Sequence, residues 1–199
     1  MIRPIAIWAA LILVLGVPLA AAAFSPLLAW RDPVYILAGF AGLLAMGLML
    51  PQPLLAGGYL PAMPAPRGRR VHRSVGIILV LAVVIHVTAL WITSPPDVVD
   101  VLLFRSPAPF SLWGAVAMWA VFAAAFLALV RRRLPLRLWR IGHSVLVTAA
   151  ALSTVLHVVF IEGTMEIMSK YVLSILVLLA VSKTVYDLRV WAFRRRTDG

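Results

Sequence analysis

Two stretches of the sequence decide the fold: residues 72–93 read HRSVGIILVLAVVIHVTALWIT, and residues 139–161 read WRIGHSVLVTAAALSTVLHVVFI. Each contains an apolar run long enough to cross a bilayer, which takes about 20 helical residues. Each also carries two histidines fourteen residues apart, and the chain has no other histidine. These patterns predict two membrane-spanning helices whose histidines share a role.

The remaining sequence has the composition of an integral membrane protein. Hydrophobic residues make up 63% of the 199-residue chain and charged residues 13%, about half the charged share of a soluble domain. These values exclude a soluble globular domain, which needs more polar surface, and a disordered chain, which needs low hydrophobicity. Because there is no cysteine, disulfides, iron–sulfur clusters and thiolate metal ligands are excluded as well.

Apolar runs divide the chain into six predicted spans, at approximately residues 5–29, 33–55, 72–93, 109–130, 140–161 and 167–193. The sixth has the shortest uncharged stretch, residues 171–182, between Lys170 and Lys183. These two lysines can extend their ammonium groups to opposite interfaces. We therefore predict an all-α integral membrane protein, a six-transmembrane-helix bundle formed by a single domain over residues 1–199.

Charge predicts the orientation of this bundle. With the N-terminus in the cytoplasm, 15 of 18 basic residues lie inside and five of seven acidic residues lie outside, as the positive-inside rule requires. Both termini are therefore predicted to be cytoplasmic, in a bacterial-type inner (plasma) membrane, with Trp139 in the aromatic belt at the inner interface. Topology also accounts for the net charge of +11, so we expect lipid and no nucleic acid as a partner.

The N-terminal run allows a second interpretation. Small residues at 20–23, followed by Phe24 and Ser25, resemble a signal-peptide cleavage site. The length of the run and Pro18 favour a retained first helix, whereas cleavage would leave five spans in the same orientation.

The spacing of the histidines predicts how they pair. Fourteen residues are about 3.9 helical turns and a rise of about 21 Å, so both histidines of a helix lie on nearly the same face. One span separates the two helices, which makes them parallel, and depth then matches His72 with His143 and His86 with His157. Two imidazoles facing each other are the axial ligands of a bis-histidine haem iron. The sequence therefore predicts an inner and an outer haem.

Other uses of intramembrane histidines remain open. Zinc is poorly supported, since no Cys, Asp or Glu lies at the depth of the histidines. A membrane transporter or scaffold without haem would use the histidines for protons or for helix packing. Proton relays usually recruit intramembrane carboxylates, and residues 74–96 and 141–161 contain none.

The residues around the inner pair also fit a porphyrin. Arg70, Arg73 and Arg140 flank this pair and are candidate partners for anionic haem propionates. The alternative is that they only mark the cytoplasmic face. Gly76 and Gly142 lie close to the inner histidines, where a missing side chain would let a flat ring approach the helix.

The segments His72-Arg73-Ser74-Val75-Gly76 leading to His86, and Trp139-Arg140-Ile141-Gly142-His143 leading to His157, resemble the ferric reductase-like transmembrane domain superfamily. That superfamily includes ferric reductases, NADPH oxidases and the membrane haem subunit of periplasmic methionine sulfoxide reductase. The resemblance covers all six predicted helices. It implies a cytochrome b with two haems b, the inner on His72 and His143 and the outer on His86 and His157.

Two departures from the superfamily bear on function. The chain stops at Gly199 and has no G-x-G-x-x-G motif, so we expect flavin only on a partner protein. The sulfoxide-reductase subunit tends to lack the inner histidine of the third helix, whereas His72 is present here. This favours the two-haem branch.

The predicted function is transmembrane electron transfer by an oxidoreductase subunit without its own flavin or NAD(P)H domain. The expected donor is a separate cytoplasmic flavoprotein or quinol, and the expected acceptor is a periplasmic redox protein or a ferric chelate. The alternatives are the haem subunit of a periplasmic methionine sulfoxide reductase system and the non-haem transporter or scaffold.

Overall fold

The computed structural model describes the backbone of residues 2–197 and the side-chain surroundings of residues 4–188, and every regular element in that part is helical. The elements in chain order are α1 (Ile2–Ala23), α2 (Pro33–Met49), α3 (Pro51–Gly57), α4 (Ala65–Thr93), α5 (Pro95–Leu102), α6 (Pro109–Leu129), α7 (Leu136–Phe160) and α8 (Ile167–Thr197). Short 3-10 turns cover Pro26–Leu28 and Val130–Arg133. The side chains of Arg3, Arg189 and Arg194–Arg196, which contribute to the predicted orientation, lie outside the described residues.

Six helical segments are long and apolar enough to cross a membrane, which confirms the predicted fold class. They are Pro4–Ala23, Pro33–Gly57, Ala65–Thr93, Pro109–Arg133, Leu136–Phe160 and Ile167–Leu188. One span combines α2 with α3, and another combines α6 with the turn that follows it. The orientation of the termini stays a prediction.

Two helix boundaries and one additional helix differ from the sequence prediction. The first helix ends at Ala23, and a 3-10 turn occupies part of the remaining predicted span. The segment expected to be an outer loop contains α5, which starts at two prolines, a residue type favoured in the first helical turn. Helix α4 begins at Ala65 and places His72 two turns inside the helix, because the arginines before His72 continue the helix.

The bundle is assembled from two antiparallel helix pairs, α2 with α4 and α6 with α7. The buried faces of α2 and α6 carry mostly small residues, such as Ala38, Ala41, Ala117 and Ala120. Small side chains let helix backbones approach closely, which is how helices associate in lipid. Large side chains such as Ile77 on α4 are exposed instead, as expected for a lipid-facing surface.

Helix α8 closes the bundle against α1, α3 and α7. Its fully buried Leu173 and Val177 pack with Met46, Leu50 and Ala151 in the main apolar core. Within the described residues, α4 and α7 are not close-packed against each other. The two helices that carry the histidines are thus held mainly by other neighbours.

Candidate functional site

His86 of α4 and His157 of α7 face each other in the structure. Their ring centres are 6.5 Å apart and the ring planes are inclined by 77°. Both side chains are only partly buried. The fold therefore brings together two histidines that are 71 residues apart in the sequence.

Both of these rings are held by a backbone carbonyl of the preceding antiparallel helix. Nδ1 of His86 donates to the Ala38 oxygen at 2.7 Å, and Nδ1 of His157 donates to the Phe110 oxygen at 2.7 Å. A carbonyl oxygen can only accept, so Nδ1 carries the proton and Nε2 is the unprotonated nitrogen. Metal-ligating histidines are typically oriented through such a bond of the other ring nitrogen.

A glycine lies against each of these rings. A Cβ atom at Gly42 would lie 2.9 Å from Nδ1 of His86, and one at Gly114 would lie 2.8 Å from Nδ1 of His157. Each glycine is one helical turn after the residue whose carbonyl accepts the proton. Sequence analysis did not connect these two glycines with the histidines. The sequence contains a signal for them, because the 72 residues between Gly42 and Gly114 nearly equal the 71 residues between His86 and His157.

His72 of α4 and His143 of α7 are the histidines predicted to form the second pair. Nδ1 of His72 donates to the Gln52 carbonyl oxygen at 3.1 Å. Nδ1 of His143 is buried, and its neighbouring backbone acceptor is the Ala124 carbonyl of α6, in a contact that falls short of full hydrogen-bond geometry. All four histidines thus lie against a backbone carbonyl of another helix, and this contact is weakest at His143.

An aromatic stack covers His143. Trp139, one turn earlier on α7, lies nearly parallel to the imidazole, with 5.5 Å between ring centres and 15° between planes. The guanidinium carbon of Arg131 is 5.2 Å from the centre of the Trp139 ring. Sequence analysis assigned Trp139 to the membrane interface and did not single out Arg131. One turn of helix separates Trp139 from His143, so their proximity follows from the sequence. Only tertiary folding positions Arg131 over the Trp139 ring.

The other residues predicted near this pair have different surroundings. Arg70, Arg73 and Arg140 are exposed. Cβ atoms at Gly76 and Gly142 would lie 3.1 Å from Nε2 of Gln52 and from Cδ2 of Leu127, respectively. The side chains of Gln52 and Leu127 thus lie next to these glycines, and the approach of a flat ring there stays a prediction.

Lys170 caps a neighbouring helix. It is only 7% exposed, and its Nζ donates to the carbonyl oxygen of Ile161 at 2.7 Å. Ile161 is the C-cap residue directly after α7. The lysine therefore lies at the end of a spanning helix, and its extension to an interface stays a prediction.

Lys183 lies in an exposed cluster at the other end of α8. Its Nζ is 2.8 Å from Oδ2 of Asp187, four residues later on the same helix. The Tyr59 hydroxyl also donates to Asp187, and Lys183 lies over the Tyr59 ring. Burial and the hydrogen bond to Asp187 raise the pKa of Tyr59 above its usual value.

The pair His86 and His157 fits a haem by its donor set and spacing, and the pair His72 and His143 by its donor set. A metal–imidazole bond of about 2 Å puts the ring centre about 3 Å from the metal, so two rings on one iron are about 6 Å apart. The observed 6.5 Å at His86 and His157 is close to this value. Within the described residues no group of three or more His, Cys, Asp or Glu could hold a metal ion, and a porphyrin needs only two protein ligands.

A family model for the ferric reductase like transmembrane component matches residues 38–154. The chain belongs to this family. The match begins at Ala38, whose carbonyl holds His86, and ends three residues before His157. Domains of this family generally bind haem, and the family suggests transmembrane electron transfer. The resemblance found in the sequence is therefore confirmed over residues 38–154, whereas no curated protein and no solved structure matches the chain.

Proposed function

We propose that this protein carries electrons across a membrane through two haems b, one held by His72 and His143 and the other by His86 and His157. The observation that carries the proposal is the arrangement of His86 and His157. These rings face each other 6.5 Å apart, and each donates its Nδ1 proton to a carbonyl of another helix. Nε2 of each ring is left for iron.

The protein supplies fixed ligands at two depths. Each histidine pair would hold a haem, which would supply a one-electron carrier. The ligand pairs are separated by fourteen residues along α4 and α7, a rise of about 21 Å, within a hydrocarbon core of about 30 Å. The carbonyl bonds and the glycines Gly42 and Gly114 keep the imidazoles in place, so little reorganisation accompanies a change of charge.

The proposed direction of electron transfer is from the cytoplasm to the periplasm, between separate donor and acceptor molecules. Electrons enter at His72 and His143 from a cytoplasmic flavoprotein or quinol, and leave near His86 and His157 to a periplasmic redox protein or ferric chelate. The positive-inside distribution supports this direction and a bacterial-type inner membrane. Arg70, Arg73 and Arg140 are proposed to pair with propionates, which their exposure near the first pair supports.

A reduced-minus-oxidised spectrum of the purified protein, with a pyridine haemochrome assay, tests the proposal. We expect an α band on dithionite reduction and two haems per chain. A protein without an α band and without extractable haem contradicts the electron-transfer proposal. A ratio near one contradicts only the assignment of two haems.

Single histidine variants test the pairing. We expect His86→Ala and His157→Ala each to lose one haem and to keep most of the other. Thr148→Ala is the matched control on α7, because the Thr148 hydroxyl bonds only the Ser144 carbonyl of its own helix. Equal loss of both haems from every histidine variant, with two haems retained in the control, contradicts the depth-matched pairing.

A further inference from the structure

His143 has a weaker hydrogen bond at Nδ1 than the other three histidines. His72, His86 and His157 donate Nδ1 to backbone carbonyls, whereas the contact of the buried His143 ring with the Ala124 backbone falls short of full hydrogen-bond geometry. A carbonyl bond orients a ligating imidazole and raises its basicity. The ring of His143 therefore needs a further support, and as a ligand it donates less electron density than its three counterparts.

Trp139 supplies that support. Its indole lies 5.5 Å from the imidazole at an angle of 15°, so one ring face is covered and rotation of the imidazole is restricted. Its Nε1 is also buried and has no partner within the described part of the chain. The contact is thus made by the face of the indole and not by a hydrogen bond.

Arg131 places a positive charge over the same indole. The distance of 5.2 Å from guanidinium to ring centre is within the range of a cation–π interaction. Among the described residues, no other histidine is in contact with an aromatic ring that itself carries a cation. The charge is connected to His143 through one intervening ring.

We propose that Arg131 and Trp139 are positioning residues that raise the reduction potential of the iron bound by His143. This inference rests on the proposed function. The ferrous form carries one positive charge fewer than the ferric form. A nearby cation and a weakly basic ligand therefore both favour the ferrous form, and hydrogen bonding and charge around a ligand are established means of setting a haem potential. A raised potential at this level eases electron entry from a donor.

Spectroelectrochemical titration of the full-length protein tests the inference, because two haems give two one-electron waves. In Arg131→Gln and Trp139→Leu we expect one wave to shift to a lower potential. The ferrous-to-ferric ratio of that haem at fixed potential should fall several-fold, and a tenfold fall corresponds to a shift of 59 mV. We expect Arg131→Lys and Trp139→Phe to retain most of the wild-type potential. The second wave should not move.

Arg132→Gln is the matched control, since Arg132 lies in the same turn and makes no cation–π contact within the described residues. Low-spin electron paramagnetic resonance reports ring orientation separately. We expect its g values to change in Trp139→Leu and to stay constant in Arg131→Gln. If Trp139→Leu fails to fold, the arginine variants still decide the inference.

The outcomes separate the two proposals. Haem binding with no wave shifted in Arg131→Gln overturns the stack inference alone. Equal shifts in Arg131→Gln and Arg132→Gln also overturn it, because the effect is then general surface charge. A wild-type protein without haem overturns the proposed function and this inference together.

Discussion

The positions of His86 and His157 depend on two small features of neighbouring helices. One is a backbone carbonyl that accepts the Nδ1 proton, and the other is a glycine one turn later against which the ring lies. In a low-dielectric interior a polar group without a partner is costly. The carbonyl bonds satisfy the imidazoles, and the glycines permit the close approach that the bonds require.

We therefore expect Gly42→Ala and Gly114→Ala to displace the adjacent histidines. A Cβ 2.8–2.9 Å from a ring nitrogen is too close to be accommodated without movement, and overpacking of this kind costs about 1–3 kcal/mol. Thermal unfolding in detergent should fall, together with the haem content assigned to His86 and His157.

Gly16→Ala is the control, because no atom lies within 4 Å of a Cβ at that helical position. It should match the wild type in both measurements. Wild-type haem content and stability in Gly42→Ala and Gly114→Ala would show that the rings do not depend on these glycines.

Lys170 is a second residue whose environment predicts a measurable effect. Its buried ammonium group binds the carbonyl at the end of α7, and a hydrogen bond to a charged group contributes about 1.5–3 kcal/mol. Lys170→Met should lower the midpoint of thermal unfolding. Lys183→Met removes an exposed ion pair and a cation–π contact with Tyr59, both at the surface, and should have little effect. Equal effects of the two variants would contradict the capping role.

At the scale of elements, α8 begins with a carboxylate cap. Glu166 accepts from the backbone N–H groups of Met168 and Ser169 at 2.7 and 2.8 Å, and these bonds lower the pKa of its carboxyl group. A lowered folded-state pKa means that the stabilisation is complete above the ordinary pKa of about 4.3. It is lost as the pH falls through the lowered value.

Hydrogen exchange at the first amides of α8 measures this cap. We expect Glu166→Gln to increase exchange relative to the wild type at neutral pH and to remove the pH dependence of protection below the ordinary carboxyl pKa. The N-terminus of α2 is the internal control, since Asp32 caps it independently. A pH dependence that persists in the variant would contradict the assignment to Glu166.

The two antiparallel helix pairs, α2 with α4 and α6 with α7, repeat one arrangement. Ala38 and Gly42 lie opposite His86, as Phe110 and Gly114 lie opposite His157. The corresponding positions are offset by 71 or 72 residues. Each pair thus presents its histidines in the same way, and the two pairs differ mainly in the aromatic stack on His143.

At the scale of the whole molecule, the distribution of arginines predicts the orientation of the bundle. The chain contains no cysteine, so single cysteines introduced at Val99 of α5 and Ala65 of α4 can be labelled selectively; both residues are exposed. In intact cells we expect a membrane-impermeant maleimide to label Val99→Cys, and to label Ala65→Cys only after permeabilisation. The reverse pattern would invert the proposed direction of electron flow.

The sequence determined the class of protein, the six spans and the histidines at two depths. Apolar run length and charge distribution are local properties of the chain, so insertion into a bilayer and orientation in it depend little on how the helices pack. The start of α4 and the presence of α5 were harder to predict from the sequence, because arginines before His72 and prolines after Thr93 are compatible with helix or loop.

Only the tertiary structure decided what surrounds each histidine. The Ala38 and Phe110 carbonyls, the glycines against the rings and the charge of Arg131 come from other parts of the chain. Their effect depends on distances of a few ångströms between helices, which apolar periodicity does not encode. The sequence thus supplied the imidazoles, and helix packing set their orientation and partners. In a low-dielectric interior a polar ring forms its hydrogen bond with the backbone acceptor that packing places next to it.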